Sequence, residues 1–315
     1  MNILLDYLMP ITAIEPTPAA STAFLKQACV LVDPVASTAI SGTLYTKTSQ
    51  TDVIAMNLSA GATAEIAQLF AAGMTKVYIL PLTLLTGLDE AILGHESDFY
   101  TILVSSDFTD AEVTAMTPGT FTGVIGASST DDTFLGVQAA IKNRSAWHTA
   151  SANKAKNMFY GFGKLLSNSL NWSNQQYISM PLADDVATLG SANSYFDSKI
   201  SFVISDTQFS NRLGLFVAGG KAIAAPYIEK NLQVDIQSKA LQYISGNQPG
   251  YTKTQAALLE DELQAVIDQY VLIQWIEQGV IAVELLEDNF VASGNINIAE
   301  PKALWRLFAE MRTTL

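Results

Sequence analysis

The sequence has very little cysteine: one residue in 315, which excludes an intrachain disulfide. Cys29 lies in the apolar run Ala-Cys-Val-Leu-Val at 28–32, a context in which a cysteine usually behaves as a small buried hydrophobic side chain. A chain of this length without disulfides is typical of a protein that folds in a reducing cytoplasm. We therefore expect no redox or nucleophilic chemistry from this thiol.

Histidine is almost as scarce. His95 and His148 share no ligand spacing with each other or with Cys29, whereas zinc is held by three or four closely arranged Cys, His or carboxylate ligands. The sequence therefore predicts no metal site and no cofactor. General acid–base chemistry would have to use carboxylates, lysine or tyrosine instead.

Basic residues and long apolar runs are also lacking. Lys and Arg number 17 against 30 Asp and Glu, so the net charge is −13, and no basic run could neutralise a phosphate backbone. No uninterrupted apolar stretch approaches the roughly 20 residues of a membrane span. The first residues carry no basic region of the kind that begins a secretory signal. We expect neither nucleic acid nor a membrane as a partner.

What the chain does contain is apolar surface: hydrophobic residues make up 49% and charged residues only 15%. This balance indicates either a large single core or a surface that other subunits cover.

Residues 1–25 are predicted to form an extended N-terminal arm. Pro10, Pro16 and Pro18 each remove a backbone donor and bias the preceding residue away from helix. The arm is too apolar for a solvated tail, as Ile3–Leu5 illustrate. Such a segment requires a groove or a sheet edge, which either its own chain or a neighbouring chain could supply.

Residues 26–245 are predicted to form an α/β body, a mixed sheet flanked by helices, because strand and helix patterns alternate along them. The predicted strands are 76–80, 99–104, 121–126, 158–162 and 200–204. The predicted helices are 62–72, 110–116, 130–142, 183–198 and 212–228.

Residues 246–315 are predicted to form a C-terminal helix-strand-strand-helix portion that packs with the body and with neighbouring subunits. The strongest helix pattern of the chain covers 254–279, where Gly279 is expected to end it. Strands are predicted at 280–285 and 294–298, and Pro301 suits the first turn of a last helix at 302–312.

Two glycine-containing segments, 161–164 and 219–221, have a superficial similarity to phosphate-binding loops. Neither has the G-x-x-x-x-G-K-[ST] spacing, and no complete G-x-G-x-x-G follows a strand. The acidic pairs at 131–132 and 184–185 suit helix caps and first turns better than a metal site.

Ser105, Ser128 and Ser205 follow predicted strands, the position at which doubly wound α/β enzymes bind their ligands. None lies in a G-x-S-x-G sequence, and a triad would need His95 or His148. A metabolic enzyme that forms a small closed oligomer with a polar pocket is therefore one alternative function.

Taken in order, these pieces resemble the contractile phage tail sheath family, which includes related contractile injection systems. The likeness rests on the helix-turn-strand segment 69–79, on Gly-Gly-Lys-Ala-Ile-Ala-Ala-Pro-Tyr at 219–227, and on the terminal unit of a long helix, two strands and a closing helix. It covers most of the chain. A proline-glycine-valine motif at the N-terminus is not found, and the short length implies few or no outer domains.

The resemblance implies a structural subunit rather than an enzyme. Sheath subunits of this family polymerise helically around an inner tube and contract to drive the tube through an envelope. The implied partners are further copies of the chain, a tail tube protein, and baseplate and tail terminator proteins. The implied location is the virion tail, after folding in the host cytoplasm. Another tail subunit, of tube or baseplate, is the alternative within this class.

The resemblance also implies which residues assemble. The implied inter-subunit strands contain Ile3, Leu4, Leu5, Val280, Ile281, Val283, Asn295, Ile296 and Ile298. The implied tube-facing residues are Lys302, Arg306 and Arg312, whose charge stands out in an acidic chain, although basic residues near a helix end also suit the helix dipole.

Overall fold

The computed structural model describes residues 2–11, 22–34, 39–95, 97–116, 119, 121–149, 155–167, 179–182, 189–204, 211–247, 252–286 and 289–297. Its contacts divide the chain into two compact units. Unit 1 combines the N-terminal strand with the chain from Tyr227 to Glu300, and unit 2 contains Ala23–Pro226. Unit 1 therefore joins the N-terminal strand to a later segment of the chain that begins at Tyr227.

The strands, in chain order, are β1 (Asn2–Ile11), β2 (Ala28–Val32), β3 (Tyr45–Lys47), β4 (Val77–Pro81), β5 (Thr101–Val104), β6 (Val124–Ser129), β7 (Arg144–His148), β8 (Phe202–Ile204), β9 (Arg212–Leu215), β10 (Val217–Ala218), β11 (Lys221–Ala222), β12 (Gln278–Leu286) and β13 (Asn289–Asn297). The α-helices are α1 (Gln50–Ile54), α2 (Ala60–Ala71), α3 (Leu88–Ile92), α4 (Asp110–Ala115), α5 (Asp132–Ala139), α6 (Lys156–Ser167), α7 (Leu189–Asp197), α8 (Ala224–Asn247) and α9 (Lys253–Leu272).

Unit 2 is built on a six-stranded sheet in the order β3-β4-β2-β5-β6-β7. All neighbouring pairs are parallel except β3 with β4. Every residue of β2 is fully buried, as expected for a central parallel strand with both faces covered. The predicted α/β fold with a mixed sheet and flanking helices is confirmed.

Polar side chains cap the N-termini of helices α2, α4 and α5 in this unit. The Ser59 hydroxyl accepts a hydrogen bond from the Ala62 amide at 2.9 Å, and Thr109 forms a capping box with Glu112. The Asp131 carboxylate accepts from the Thr133 amide at 2.8 Å. The capping role predicted for the 131–132 pair is confirmed, while the 184–185 pair lies outside the described residues.

The strand predicted at 158–162 is wrong, because these residues form the middle of helix α6. Its buried apolar residues recur at helical spacing: Met158, Phe159, Phe162, Leu165 and Leu166. A five-residue apolar window cannot separate a buried strand from a buried helix. The glycines of 161–164 serve close packing here: a Cβ on Gly163 would lie 2.6 Å from the Ala72 Cβ.

The helix predicted at 212–228 is also wrong over most of its length. The chain forms β9, β10 and β11 there, and helix α8 begins only at Ala224. Gly219 and Gly220 have φ of +54° and +77°, and they connect the paired residues Ala218 and Lys221. Two adjacent residues with positive φ are the signature of a type I′ hairpin turn, so the glycines do not loosen a helix as expected.

The long C-terminal helix ends earlier than predicted. Helix α9 stops at Leu272, and Gly279 lies inside β12. Gln274 has φ +60°, and the amides of Trp275 and Gln274 donate to the carbonyls of Tyr270 and Val271, each at 3.0 Å. This is a Schellman motif. A glutamine occupies the left-handed position that usually holds glycine, so no residue type at this point signals the end of the helix.

Two glycine-to-alanine substitutions in unit 2 should change stability in opposite directions. Gly163→Ala should lower the free energy of unfolding by about 1–3 kcal/mol, because a methyl group at this point must push α6 away from α2. Gly136→Ala, in helix α5 with no atom within 4 Å of the added Cβ, should raise it by about 0.5–1 kcal/mol. Urea denaturation of both variants checks this, and equal effects of the two would contradict the packing assignment.

Candidate functional site: an assembly interface

The residues that the sequence assigned to assembly meet in the sheet of unit 1, whose strand order is β1-β13-β12. Both pairings are antiparallel, with Ile3 opposite Ile296 and Leu4 opposite Asn295, and with Val280 also opposite Asn295. The structure therefore brings the predicted N-terminal and C-terminal strands together within one chain. Ile298, Lys302, Arg306 and Arg312 lie outside the described residues.

Burial separates the predicted C-terminal strand residues into two faces. Ile281, Val283 and Ile296 are buried, whereas Val280 is 66% exposed and Asn295 is exposed. Successive side chains of a strand point to opposite faces. The first three side chains therefore belong to the core of their own unit, and only their backbone is available to pair with another strand.

Helix α9 packs closely against β12, and Gly279 permits this approach. A Cβ at Gly279 would lie 2.7 Å from Cγ2 of Ile267 on α9 and 3.1 Å from Cγ2 of Ile296 on β13. A real Cβ essentially never comes as close as 2.7 Å, and 3.1 Å is tighter than most real Cβ contacts, so a side chain here would force the surrounding atoms to shift. The glycine that was expected to end the helix therefore holds the helix against the sheet.

The first strand tolerates Pro10 because of its place in the ladder. In an antiparallel pair, alternate residues direct their N–H groups toward the partner strand. The amides of Ile281 and Val283 bond to side chains of α9 and therefore face away from β13. The backbone hydrogen bonds between β12 and β13 are then made by the alternate pairs, such as Val280 with Asn295. The remaining residues of β13 direct their backbone groups toward β1. Val291 is not one of them, so Pro10, which lies opposite Val291, occupies a position that donates no ladder bond.

Helices α8 and α9 are joined by polar contacts between their side chains. The Tyr270 hydroxyl donates to the Asp235 carboxylate at 2.6 Å and accepts from the Asn231 side-chain amide. Burial, and then the bond to Asp235, raises the pKa of Tyr270 well above its ordinary value. Lys239 and Glu262 add an ion pair of 2.8 Å. These contacts connect helices α8 and α9 within unit 1.

The geometry around the candidate serines does not assemble a nucleophile. The Ser105 hydroxyl accepts from the Asp107 amide at 3.4 Å, and the ring of His95 pairs with Asp98 at 2.8 Å. His148 stacks on Tyr195 with ring centroids 4.5 Å apart, and its Nδ1 lies 3.8 Å from Asp132. Ser128 lies in β6 opposite Trp147, and Ser205 falls outside the described residues.

The usual ligand position of a doubly wound sheet holds a carboxylate of the chain itself. That position lies beyond the carboxyl ends of β2 and β5, where the strand order reverses. Glu65 is fully buried there and accepts from the Ser106 amide at 3.1 Å and the Ala155 amide at 3.4 Å. Burial, the largest effect, raises the pKa of Glu65 above its ordinary value of 4.5.

The described part of the chain lacks two further features, a metal-binding cluster and a membrane-spanning helix. It contains no group of three or more His, Cys, Asp or Glu side chains that could hold a metal ion. Among its helices, none combines the length and the apolar character needed to cross a membrane.

No family model and no curated protein matches the sequence, but solved structures match the fold. A chain in the cryo-EM structure of the anti-feeding prophage (AFP) baseplate matches with a TM-score of 0.65 and 12% identity, over 94% of this chain and 96% of that chain. A chain of the PVC sheath complex in the contracted state, from an extracellular contractile injection system, matches with a TM-score of 0.65 and 10% identity, over 93% and 94%. The sheath tail protein from Desulfitobacterium hafniense matches with a TM-score of 0.54 and 8% identity, over 87% and 93%.

The chain has the fold of a contractile-system sheath protein. The resemblance that the order of sequence elements indicated is thus confirmed for the fold. The match covers more than nine-tenths of this chain and of the AFP and PVC chains, so both units take part in it. The likeness extends beyond phage tails to injection systems.

The buried carboxylate of Glu65 makes a prediction for the pH dependence of stability. Because the pKa of Glu65 is raised in the folded state, its contribution to the free energy of unfolding is fully present below about pH 4.5. This contribution is lost as the pH rises through the folded-state pKa. In urea denaturation, the free energy of unfolding of the wild type minus that of Glu65→Gln should therefore decrease from pH 4 to pH 8.

Glu112→Gln is the matched control, because hydrogen bonds from Thr109 lower the pKa of this exposed carboxyl. Its contribution is present above the ordinary pKa and is lost only as the pH falls through the folded one. The difference between wild type and this variant should stay flat from pH 5 to pH 8. A flat profile for Glu65→Gln as well would contradict the assignment of Glu65.

Proposed function

We propose that this protein is a structural subunit of a contractile sheath, which polymerises helically around an inner tube and contracts to drive that tube through an envelope. The observation that carries the proposal is the β1–β13 ladder, a strand from one end of the chain added to a hairpin from the other. We further propose that, in the assembly, β1 of one copy pairs with β13 of a neighbouring copy.

The physics of the ladder supports an exchange between copies. The bonds of a strand pair are made by backbone groups, so the β13 edge accepts β1 equally well from its own chain or from a second copy. In the strand order, β1 lies at the edge and pairs with β13 alone. Exchange of an identical element between protomers is a low-cost route to assembly, and a head-to-tail exchange that does not close produces a filament.

Contraction requires that subunits change their packing without separating. Strand addition provides this, because the exchanged strands keep neighbours connected while the bodies of the subunits move between two arrangements. The match to a PVC sheath complex solved in its contracted state supports this reading. The buried side chains of Ile281, Val283 and Ile296 would keep the accepting hairpin intact in both arrangements.

The proposed partners follow from the same reading: further copies of the chain, a tail tube protein, and baseplate and terminator proteins. The tube contact is proposed for Lys302, Arg306 and Arg312, and it rests on the sequence alone. We propose that the protein folds in a host cytoplasm and functions in a virion tail or a related injection particle.

A second candidate function is a sheath-like subunit at the baseplate, because the matches include chains from two AFP baseplate structures, one of them in the contracted state. Such a subunit would form one short ring rather than a long tube. Negative-stain electron microscopy of the purified protein distinguishes the two, since only a sheath subunit is expected to form extended tubes by itself.

Two proline substitutions in β1 test the proposed strand addition. Leu5 lies opposite Gly294, at a position whose N–H faces β13, whereas the N–H of Leu4 faces away. Leu5→Pro should abolish tubes in electron micrographs because it removes a ladder donor. Leu4→Pro should still form tubes, because an outward edge position tolerates proline.

Both variants should remain folded by circular dichroism, since the buried residues of the hairpin and of unit 2 are unchanged. Normal tubes from Leu5→Pro, or equal loss of tubes in both variants, would contradict the assignment of β1 as the assembling strand.

A further inference from the structure

The outer edge of β12, which faces away from β13, is occupied by two side chains of helix α9. Gln264 accepts from the Ile281 amide at 3.1 Å through its side-chain oxygen and donates to the Gly279 carbonyl at 3.1 Å through its side-chain nitrogen. The Glu260 carboxylate accepts from the Val283 amide at 2.8 Å. Three backbone groups of this edge are therefore hydrogen-bonded without a neighbouring strand.

The Gln264 amide reproduces the bonding pattern of a parallel strand. In a parallel pair, a residue on one strand bonds to the two neighbours of the residue opposite it: it donates to the carbonyl of the preceding neighbour and accepts from the amide of the following one. Gln264 makes these two bonds around Val280. Its side-chain amide thus stands where one peptide unit of an added strand would stand.

Helical spacing matches strand spacing at this contact. Glu260 and Gln264 are separated by four residues, about 6 Å along a helix, and Ile281 and Val283 by two residues, about 6.8 Å along a strand. The amide of Gln264 is oriented further by its hydrogen bond to Asp268 at 2.8 Å. Gly279, which has no room for a Cβ against Ile267, allows α9 to come close enough for these bonds.

An open strand edge is a template for pairing with any other extended chain. In a protein that assembles by strand addition, two open edges on one sheet would allow a second copy to add on the wrong side. The side chains of α9 satisfy the edge of β12 and leave the far side of β13, the position of β1, as the place where a strand pairs.

We propose that Glu260 and Gln264 close the β12 edge, so that strand addition by a second copy of this chain is confined to the β13 side. The identity of the partner as a second copy rests on the proposed function. The closed edge itself does not, because it holds whether β1 comes from the same chain or from a neighbour.

Amide hydrogen exchange on the full-length chain, at concentrations below assembly, tests the closure. In the double variant Glu260→Ala/Gln264→Leu, the amides of Ile281 and Val283 should exchange about tenfold faster, the loss expected for one hydrogen bond. The amides of Val280 and Ala282, which face β13, should keep their protection. Asp261→Ala, an exposed carboxylate on the same helix, is the control and should change none of the four.

A synthetic peptide with the sequence of residues 2–11, extended by lysines for solubility, is the strand probe. In excess, it should restore protection of the Ile281 and Val283 amides in the double variant and leave the rates of these two amides unchanged in the wild type. Probe-dependent protection of both amides in the wild type would show that the edge is open and would overturn the proposal. Unchanged exchange in the double variant would overturn it as well.

If the double variant does not fold, Glu260→Gln and Gln264→Ala give the same reading separately. Glu260→Gln keeps an acceptor oxygen and should keep Val283 protected, whereas Gln264→Ala should release Ile281 alone. Failure of this proposal is distinguishable from failure of the proposed function: an open β12 edge leaves tube formation intact, and an absence of tubes leaves the exchange result intact.

Discussion

The antiparallel ladder between β1 and β13 is the constraint on which unit 1 depends. It joins the first ten residues of the sequence to a hairpin that lies close to the other end, so its closure carries the entropy cost of a loop of nearly the whole chain. Contacts of such long separation form late and slowly within one chain. A second copy supplies the same strand without closing that loop, and this favours exchange in a concentrated assembly.

The two edges of the β12–β13 hairpin have different chemistry, and helix α9 determines the difference. On one side its polar residues Glu260 and Gln264 bond to β12, while its apolar residue Ile267 lies against Gly279. On the other side the backbone of β13 meets a strand. The hairpin is thereby fixed to α9, and α9 to α8 through Tyr270 and Asp235. A pull on an exchanged β1 would act on this connected unit rather than on a loose hairpin.

Sequence reasoning predicted the α/β class, the partly parallel strands with their intervening helices, and strands at 280–285 and 294–298, because these depend on local periodicity. The strand at the N-terminus was implied by the resemblance to sheath proteins. It failed where a tertiary contact overrides the local pattern. Gly161 and Gly163 pack helix α6 against its neighbours although the segment has strand composition, and Gln274 ends α9 in a conformation usually given to glycine. Strand β7 was missed because Arg144 and Ser145 are buried polar residues in a short segment. The contact of Glu260 with the β12 edge has no local sequence signal, since its partner Val283 lies 23 residues away.

The pairing partner of β1 in the assembled state is tested most directly by a disulfide across the ladder. Leu4 and Asn295 are opposite each other at a position without ladder hydrogen bonds, where Cα atoms lie about 4.5 Å apart, within the range of a disulfide. The variant Leu4→Cys/Asn295→Cys, assembled and then oxidised, should give a series of covalent multimers on a non-reducing gel. Assembled tubes that contain only internally cross-linked single chains would contradict strand exchange between copies.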